Sequence, residues 1–376
     1  MIVLLWIDWY AYHVARLRAL TEHGVLRHKV CGIEMVGGCG VHRSLKFRHS
    51  ERGDLPVITL LPHADWRKAR RWELVIEVWR KLGDLNPTHV FVPGYYNVPA
   101  LSAAVWAKIH RKQSVLMCES TQSDRTRVWC KEALKRILVR RLFDKAIAGG
   151  KRQIQYLLQL GFTPEALAFG YDVVDNDFYS RTASKARSSS TREKLGLPEK
   201  YFLFAGRLAA EKNLAALLRS FAEYRATGGA WSLVLAGDGP LREELRLLAE
   251  RSGIGLRVHF AGLKSSEELT VLYAFASCFV LPSVSEPWGL VVNEAMACGL
   301  PVIVSNRCGC VDDLVQHGAN GFIFDPGRDD ELTARLHRIA ALSETALAAM
   351  GERSSEIIHR YSLEGWASEV ARVSAA

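Results

Sequence analysis

Glu286 and Glu294 are separated by seven residues, and the first is followed at once by Pro287-Trp288-Gly289-Leu290. An apolar run over 278–281 reads as a buried parallel strand, and the spacing beyond it predicts a helix over 288–298 that stops at Gly299-Leu300-Pro301. Glu286 then stands in the loop at the strand's end, and Glu294 stands along the helix. The backbone N–H groups of Trp288, Gly289 and Leu290 point out of the helix start. Unpaired donors and the helix dipole both favour an anion there. Two carboxylates beside an anion site suit a ligand that carries hydroxyls around a phosphate, such as a nucleotide sugar. An ordinary strand–loop–helix with two solvated glutamates is the other reading at this point.

More cations converge on the same half. A strand over 201–206 ends at Gly206-Arg207, and Lys212 follows five residues later. Strand C-termini are where an α/β sheet presents groups to ligands. Arginine offers a rigid fork for phosphate oxygens and lysine a compact charge. A strand over 233–236 leads into Gly237-Asp238-Gly239-Pro240, where glycines let backbone approach a ligand closely. Another, over 258–261, leads into Gly262-Leu263-Lys264.

Around these residues, short apolar runs alternate with helical periodicity along the chain. In the first half, strands are expected over 2–7, 28–33, 57–61, 89–92, 114–118 and 145–148. Helices are expected over 12–22, 66–82, 98–110, 126–142 and 151–160. That alternation implies parallel sheets wrapped by helices. Domains are expected at 1–180 and 196–361, joined by a serine-rich linker over 181–195, with a closing helix at 362–376 returning to the first domain. Three loops of the first half present polar or aromatic groups: Asp8-Trp9-Tyr10, Gly94-Tyr95-Tyr96-Asn97, and Glu119-Ser120-Thr121-Gln122-Ser123-Asp124-Arg125. Tyr10 and Tyr96 could stack on a sugar, Glu119 and Asp124 could take a proton, and Ser120 and Arg125 complete the polar set. Capping of the following helix explains the last loop equally well. Asp175-Asn176-Asp177 has the look of a metal-holding pattern but offers too few oxygens for a dedicated site, so no metal is expected.

The 376 residues carry a net charge of +9, distributed unevenly. Residues 1–190 hold 30 lysines and arginines against 17 acids; residues 191–376 hold 19 against 23. The basic half calls for an acidic partner: a phosphorylated acceptor, an anionic lipid surface or a nucleic acid. Nucleic acid fits least, because no recognised binding module is present. Residues 131–145 are basic and amphipathic, as a helix resting on an anionic membrane is, and also as a solvated helix with one buried face is. Eight cysteines without paired spacing suggest a reduced, cytoplasmic protein, with Cys308 and Cys310 as small apolar residues rather than metal ligands. The run 1–7 is interrupted by Asp8 and reads as a first strand, not a leader.

Taken in order, Gly206-Arg207-Leu208, Glu211-Lys212, Leu235-Ala236-Gly237-Asp238-Gly239-Pro240, Phe260-Ala261-Gly262, Glu286-Pro287-Trp288-Gly289-Leu290, Glu294-Ala295-Met296-Ala297-Cys298-Gly299-Leu300-Pro301-Val302 and Asn320-Gly321 resemble glycosyltransferase family 4. The resemblance is strongest over 200–340. It implies the GT-B fold, in which two Rossmann-like domains face each other across a cleft. It further implies sugar transfer from a nucleoside diphosphate, a UDP-sugar first, with retention of configuration. Arg207 and Lys212 would hold the diphosphate and Glu286 the sugar hydroxyls. Trp288, Gly289 and Leu290 would give backbone donors, Glu294 would bind the ribose, and Gly206, Gly237, Gly239 and Leu263 would flank the nucleotide. No cofactor or divalent ion is implied. The acceptor, a carbohydrate, a lipid-linked sugar or a small molecule, would meet Tyr10, Tyr96, Glu119, Ser120, Asp124 and Arg125, with peripheral attachment at the inner membrane face as an accompanying expectation. The first half departs from the family: Asp8-Trp9-Tyr10 replaces a glycine-rich loop, and Glu119-Ser120 stands where a histidine is usual. A non-catalytic, sugar-nucleotide-binding subunit is the alternative.

Overall fold

The structure is a computed structural model that describes residues 1–26, 29–38, 53–124, 127–188 and 191–375. It divides into two compact units, Met1–Val174 with Tyr361–Ala376, and Asp175–Arg360. In the first unit, seven parallel strands run in the order β3-β2-β1-β4-β5-β6-β7. These are β1 (Ile2–Trp6), β2 (Val30–Val36), β3 (Val57–Leu61), β4 (His89–Pro93), β5 (Gln113–Cys118), β6 (Lys145–Ala148) and β7 (Leu167–Phe169). Helices α1 (Ala11–Glu22), α2 (Arg71–Leu85), α3 (Val98–Ile109), α4 (Trp129–Leu142) and α5 (Lys151–Gln159) make the connections. Every residue of β1 and β2 is buried, as a sheet covered on both faces requires, including Glu34, which accepts from Thr59 Oγ1 at 2.7 Å.

The second unit begins with α6 (Asn176–Arg187) and α7 (Thr191–Lys194). Its six parallel strands are ordered β10-β9-β8-β11-β12-β13: β8 (Tyr201–Ala205), β9 (Ser232–Ala236), β10 (Val258–Gly262), β11 (Cys278–Leu281), β12 (Val302–Ser305) and β13 (Gly321–Phe324). The strands are connected by α8 (Leu214–Ala226), α9 (Arg242–Arg251), α10 (Ser266–Phe275), α11 (Leu290–Ala297) and α12 (Val311–Leu314); α13 (Asp329–Ala340) and α14 (Glu344–Ile358) complete the unit. Both strand orders reverse direction beside the first strand of their unit, β1 and β8, which is where open α/β sheets leave a crevice.

The chain passes between units at Val174–Asp175, and much of the expected linker is helix. Asp175 Oδ1 accepts from the Phe178 N–H at 2.8 Å and so caps α6. Tyr179, Ala183 and Ala186 are buried at helical spacing. Arg187 donates to the carbonyls of Ala274, at 2.8 Å, and Cys298, at 2.7 Å. The serine-rich composition hid an amphipathic stripe built from small residues. Helix α15 (Leu363–Ala375) belongs to the first unit. Its fully buried Trp366 donates from the indole N–H to the Arg16 carbonyl at 3.3 Å. Arg372 donates to the Leu167 carbonyl at 2.9 Å. Among the described residues, no helix is long and apolar enough to cross a membrane.

Candidate functional site

In the second unit, the groups of interest gather where β8, β9 and β11 end. Strand β8 runs out into Gly206, whose φ of +145° suits a residue without a Cβ. The Gly206 N–H donates to the Ala236 carbonyl at 2.9 Å, and the Leu208 N–H donates to the Asp238 carbonyl at 3.0 Å. A short 3-10 turn, Ala210–Lys212, follows and closes with Asn213 in the left-handed region. That turn aims Lys212 back across the strand end. Its Nζ forms an ion pair with Glu286, the Lys212 and Glu286 side chains being 15% and 14% exposed. Arg207 lies further out and pairs with Glu211, Nη2 to Oε1 at 2.6 Å.

Glu286 is held from three sides. Its backbone bridges to Cys308, and the Gly309 N–H donates to its carbonyl at 2.9 Å. Ser283 Oγ donates to its Oε2 at 3.2 Å. The Val284 N–H donates to the Glu211 carbonyl at 2.9 Å, which ties the loop after β11 to the turn carrying Lys212. Cys308 and Cys310 are fully buried packing residues of this support.

Helix α11 begins at Leu290, two residues later than the sequence spacing suggested, because Gly289 takes φ +105° and breaks the turn. The helix start therefore presents the N–H groups of Leu290 and Val291, with Gly289 as its cap. Trp288 is 2% exposed. Its indole donates to Asn293 Oδ1 at 2.9 Å, and its carbonyl accepts from the Cys310 N–H. It anchors the helix start from beneath.

Glu294 accepts from the Tyr273 hydroxyl at 2.9 Å, and the Tyr179 hydroxyl also faces it. Burial pushes the Glu294 carboxyl up to about 7, against the opposing pull of those two hydroxyls. Tyr179 comes from α6 and Tyr273 from α10, so neither carries a local signature in the sequence. A raised carboxyl means the folded protein binds the extra proton. Stability is therefore greatest below the ordinary carboxylate range, falls as pH rises from about 4.5 to about 7, and is level above that. Glu294→Gln is expected to flatten this slope, read as melting temperature against pH.

Gly237 and Gly239 show why these positions carry no side chain. A Cβ on Gly237 would lie 1.9 Å from the Gly206 carbonyl oxygen; one on Gly239 would lie 2.4 Å from that of Leu208. The Gly237 N–H donates to the Gly262 carbonyl at 2.8 Å, so the three strand ends are stitched backbone to backbone. Leu263, next in the chain, is 47% exposed.

The first-unit candidates are more scattered. Tyr10 is buried at the start of α1, and its hydroxyl donates to Asp8 Oδ2 at 2.6 Å. Tyr96 is 62% exposed, and its hydroxyl shares a hydrogen bond with buried Ser120. Asp124 is occupied in closing its own loop: it pairs with Arg127 and accepts from the Thr121 N–H at 3.2 Å. Arg125 lies outside the described residues. Glu119 faces a cluster that sequence reading missed. Arg16 and Asp172 form a fully buried pair at 3.5 Å, with Arg16 over the Tyr171 ring. Burial, then the nearby Glu119 carboxylate, pushes Asp172 well up despite Arg16. Asp175 and Asn176, the first two residues of the metal-like pattern, cap α6 and donate to the Ile358 carbonyl at 3.1 Å, respectively.

Residues 188–356 match the family described as glycosyl transferases group 1. That stretch contains Gly206, Arg207, Lys212, Gly237, Gly239, Leu263, Glu286, the start of α11 and Glu294, but not Tyr179. The D-inositol 3-phosphate glycosyltransferase of Corynebacterium jeikeium is 33% identical over 235 residues, 58% of this chain and 54% of that protein. The GDP-mannose:cellobiosyl-diphosphopolyprenol alpha-mannosyltransferase of Komagataeibacter xylinus is 27% identical over 331 residues, 83% of this chain and 80% of that one. Matches to several further relatives take in about half of their length or less. The solved structure of Anabaena Alr3699/HepE in complex with UDP superposes with a TM-score of 0.75 at 21% identity, covering 98% of each chain. That likeness shows the fold, two Rossmann-like units of the GT-B kind.

Proposed function

We propose that this protein is a retaining glycosyltransferase that moves a sugar from a nucleoside diphosphate, a UDP-sugar first, to an acceptor hydroxyl. The reading rests on Lys212 and Glu286 meeting beside the start of α11, inside the stretch that matches the transferase family. The hard step in such a transfer is the growth of negative charge on the departing diphosphate. Lys212, Arg207 and the N–H groups of Leu290 and Val291 are cationic or dipolar groups suited to that charge. Glu286 would accept hydrogen bonds from the sugar hydroxyls. Glu294 would do so from the ribose, with Tyr179 and Tyr273 orienting it.

Lys212 and Glu286 pair with each other. An arriving donor would separate them, giving the ammonium a phosphate oxygen and the carboxylate a hydroxyl. Because ribose hydroxyls need the charged carboxylate of Glu294, nucleotide affinity should rise with pH through about 7. Roughly tenfold between pH 6 and 8 is expected from a carboxyl titrating in that window. Calorimetry with UDP at the two values checks it, and Glu294→Gln should abolish the dependence.

On the acceptor side we assign Tyr96, Ser120 and Glu119 to contacts with a carbohydrate or lipid-linked hydroxyl. Support comes from their place at the C-terminal ends of β4 and β5. The direct test incubates the pure protein with UDP-, GDP- and ADP-sugars and follows nucleotide release. Slow release from at least one donor is expected. Tight binding with no release, by the protein alone or with any acceptor, would instead identify a non-catalytic binding subunit.

A further inference from the structure

We propose that the outer face of α4 docks the protein onto an anionic lipid bilayer. Of its 14 residues only Val139 is buried. Trp129 at its start is 84% exposed, Leu134 69%, Ile137 50% and Leu138 41%. At 100° per residue, Ala133, Leu134, Ile137 and Leu138 form one stripe opposite Val139. Lys131 lies along one border of the stripe, Arg136 and Arg140 along the other, and Arg141 within it. Among the described residues none of these four cations makes an ion pair. Other cations are paired within their own helix: Arg80 with Glu77 on α2, Arg246 with Glu243 and Glu250 on α9, and, on α4 itself, Lys135 with Glu132.

A solvated helix has no use for four exposed aliphatics on one stripe with an exposed tryptophan at its border, and a core helix has no use for cations along both borders. Both features serve a helix that lies in the headgroup plane, with aliphatics among the acyl chains and cations among lipid phosphates. A cavity of about 420 Å³ beside the helix is lined by Arg127, Trp129, Glu132, Arg136 and Tyr156; Arg127 is paired with Asp124 and Glu132, which leaves Arg136 as the cation there for a headgroup phosphate. A nucleic acid would explain the cations but not the aliphatic stripe. A second copy of this chain would explain the stripe but not like charges facing each other across it.

The test is co-sedimentation with vesicles of phosphatidylcholine alone and of phosphatidylcholine mixed with phosphatidylglycerol. Binding is expected only to the mixed vesicles. Arg136→Gln/Arg140→Gln/Arg141→Gln should weaken it about a hundredfold, since each cation near an anionic surface is worth about fivefold. Leu134→Ser/Ile137→Ser should weaken it by a similar factor while leaving the charge unchanged. All substituted side chains are exposed, so melting temperature and UDP binding should match the parent. The proposal is overturned if the protein stays in the supernatant, or if either variant sediments like the parent. It is also overturned if single-stranded RNA is bound with an affinity that only the arginine variant loses, or if the serine variant merely dissociates a dimer seen by analytical ultracentrifugation.

Discussion

Lys212→Ala is expected to cut donor turnover by about two to three orders of magnitude, the range measured when one preorganised donor to a developing oxyanion is removed. Most of the loss should fall on kcat, because the lysine's partner in the proposed transition state is a charge that the ground state has only in part. Glu286→Gln keeps the size and removes the charge. It should lower turnover by a similar factor and leave Lys212 without its resting partner. The two side chains are in contact, so their effects should not add: the double variant should be scarcely worse than either single one. Arg207 is more exposed, and its pairing with Glu211 is open to salt screening. Arg207→Ala should therefore cost less, and its effect should shrink as ionic strength rises. Steady-state nucleotide release, with melting temperatures alongside to verify folding, reads all four variants.

Gly237→Ala should be nearly as damaging for a different reason. Position 237 sits at φ +137°, outside the range of L side chains, and its added methyl would fall 1.9 Å from the Gly206 carbonyl oxygen. Both atoms in that clash are fixed to main chain, so relief requires the ends of β8 and β9 to part. Parting them stretches the hydrogen bonds from Gly206 to Ala236 and from Leu208 to Asp238, and moves the start of the turn that aims Lys212. Strain of this kind costs about 1–3 kcal/mol, to which the disturbed hydrogen bonds add. A lowered melting temperature together with weakened UDP binding is expected. An alanine variant that melts and binds like the parent would mean the loops are not coupled through their backbones.

The parallel strands other than β7, a three-residue edge strand that was not expected, were legible because each is a short apolar run between turn residues, and most were placed within a residue or two. Motifs of the second unit were legible for the same reason: Gly206, Gly237 and Gly262 punctuate strand ends. What stayed hidden depended on side chains meeting across long separations. Tyr179 and Tyr273 reach Glu294 from other helices, and only the folded chain reveals that the carboxyl is shielded. Lys212 and Glu286 were expected on separate parts of a ligand; that their side chains meet follows from a turn geometry that spacing does not encode. Residues 181–187, the second half of α6, were read as linker because the residues they bury are alanines in a serine-rich frame. The start of α11 moved because one glycine adopted a left-handed conformation. In the first unit, Arg16 and Asp172 lie 156 positions apart, and nothing local marks either as buried.

The central claim is that the second unit grips a diphosphate at the ends of β8 and β11. A crystal structure with UDP tests it most directly. The account predicts phosphate oxygens within hydrogen-bond reach of Lys212, Arg207 and the N–H groups of Leu290 and Val291, the ribose on Glu294, and the Lys212–Glu286 pair opened. UDP bound elsewhere, with that pair intact, would contradict it.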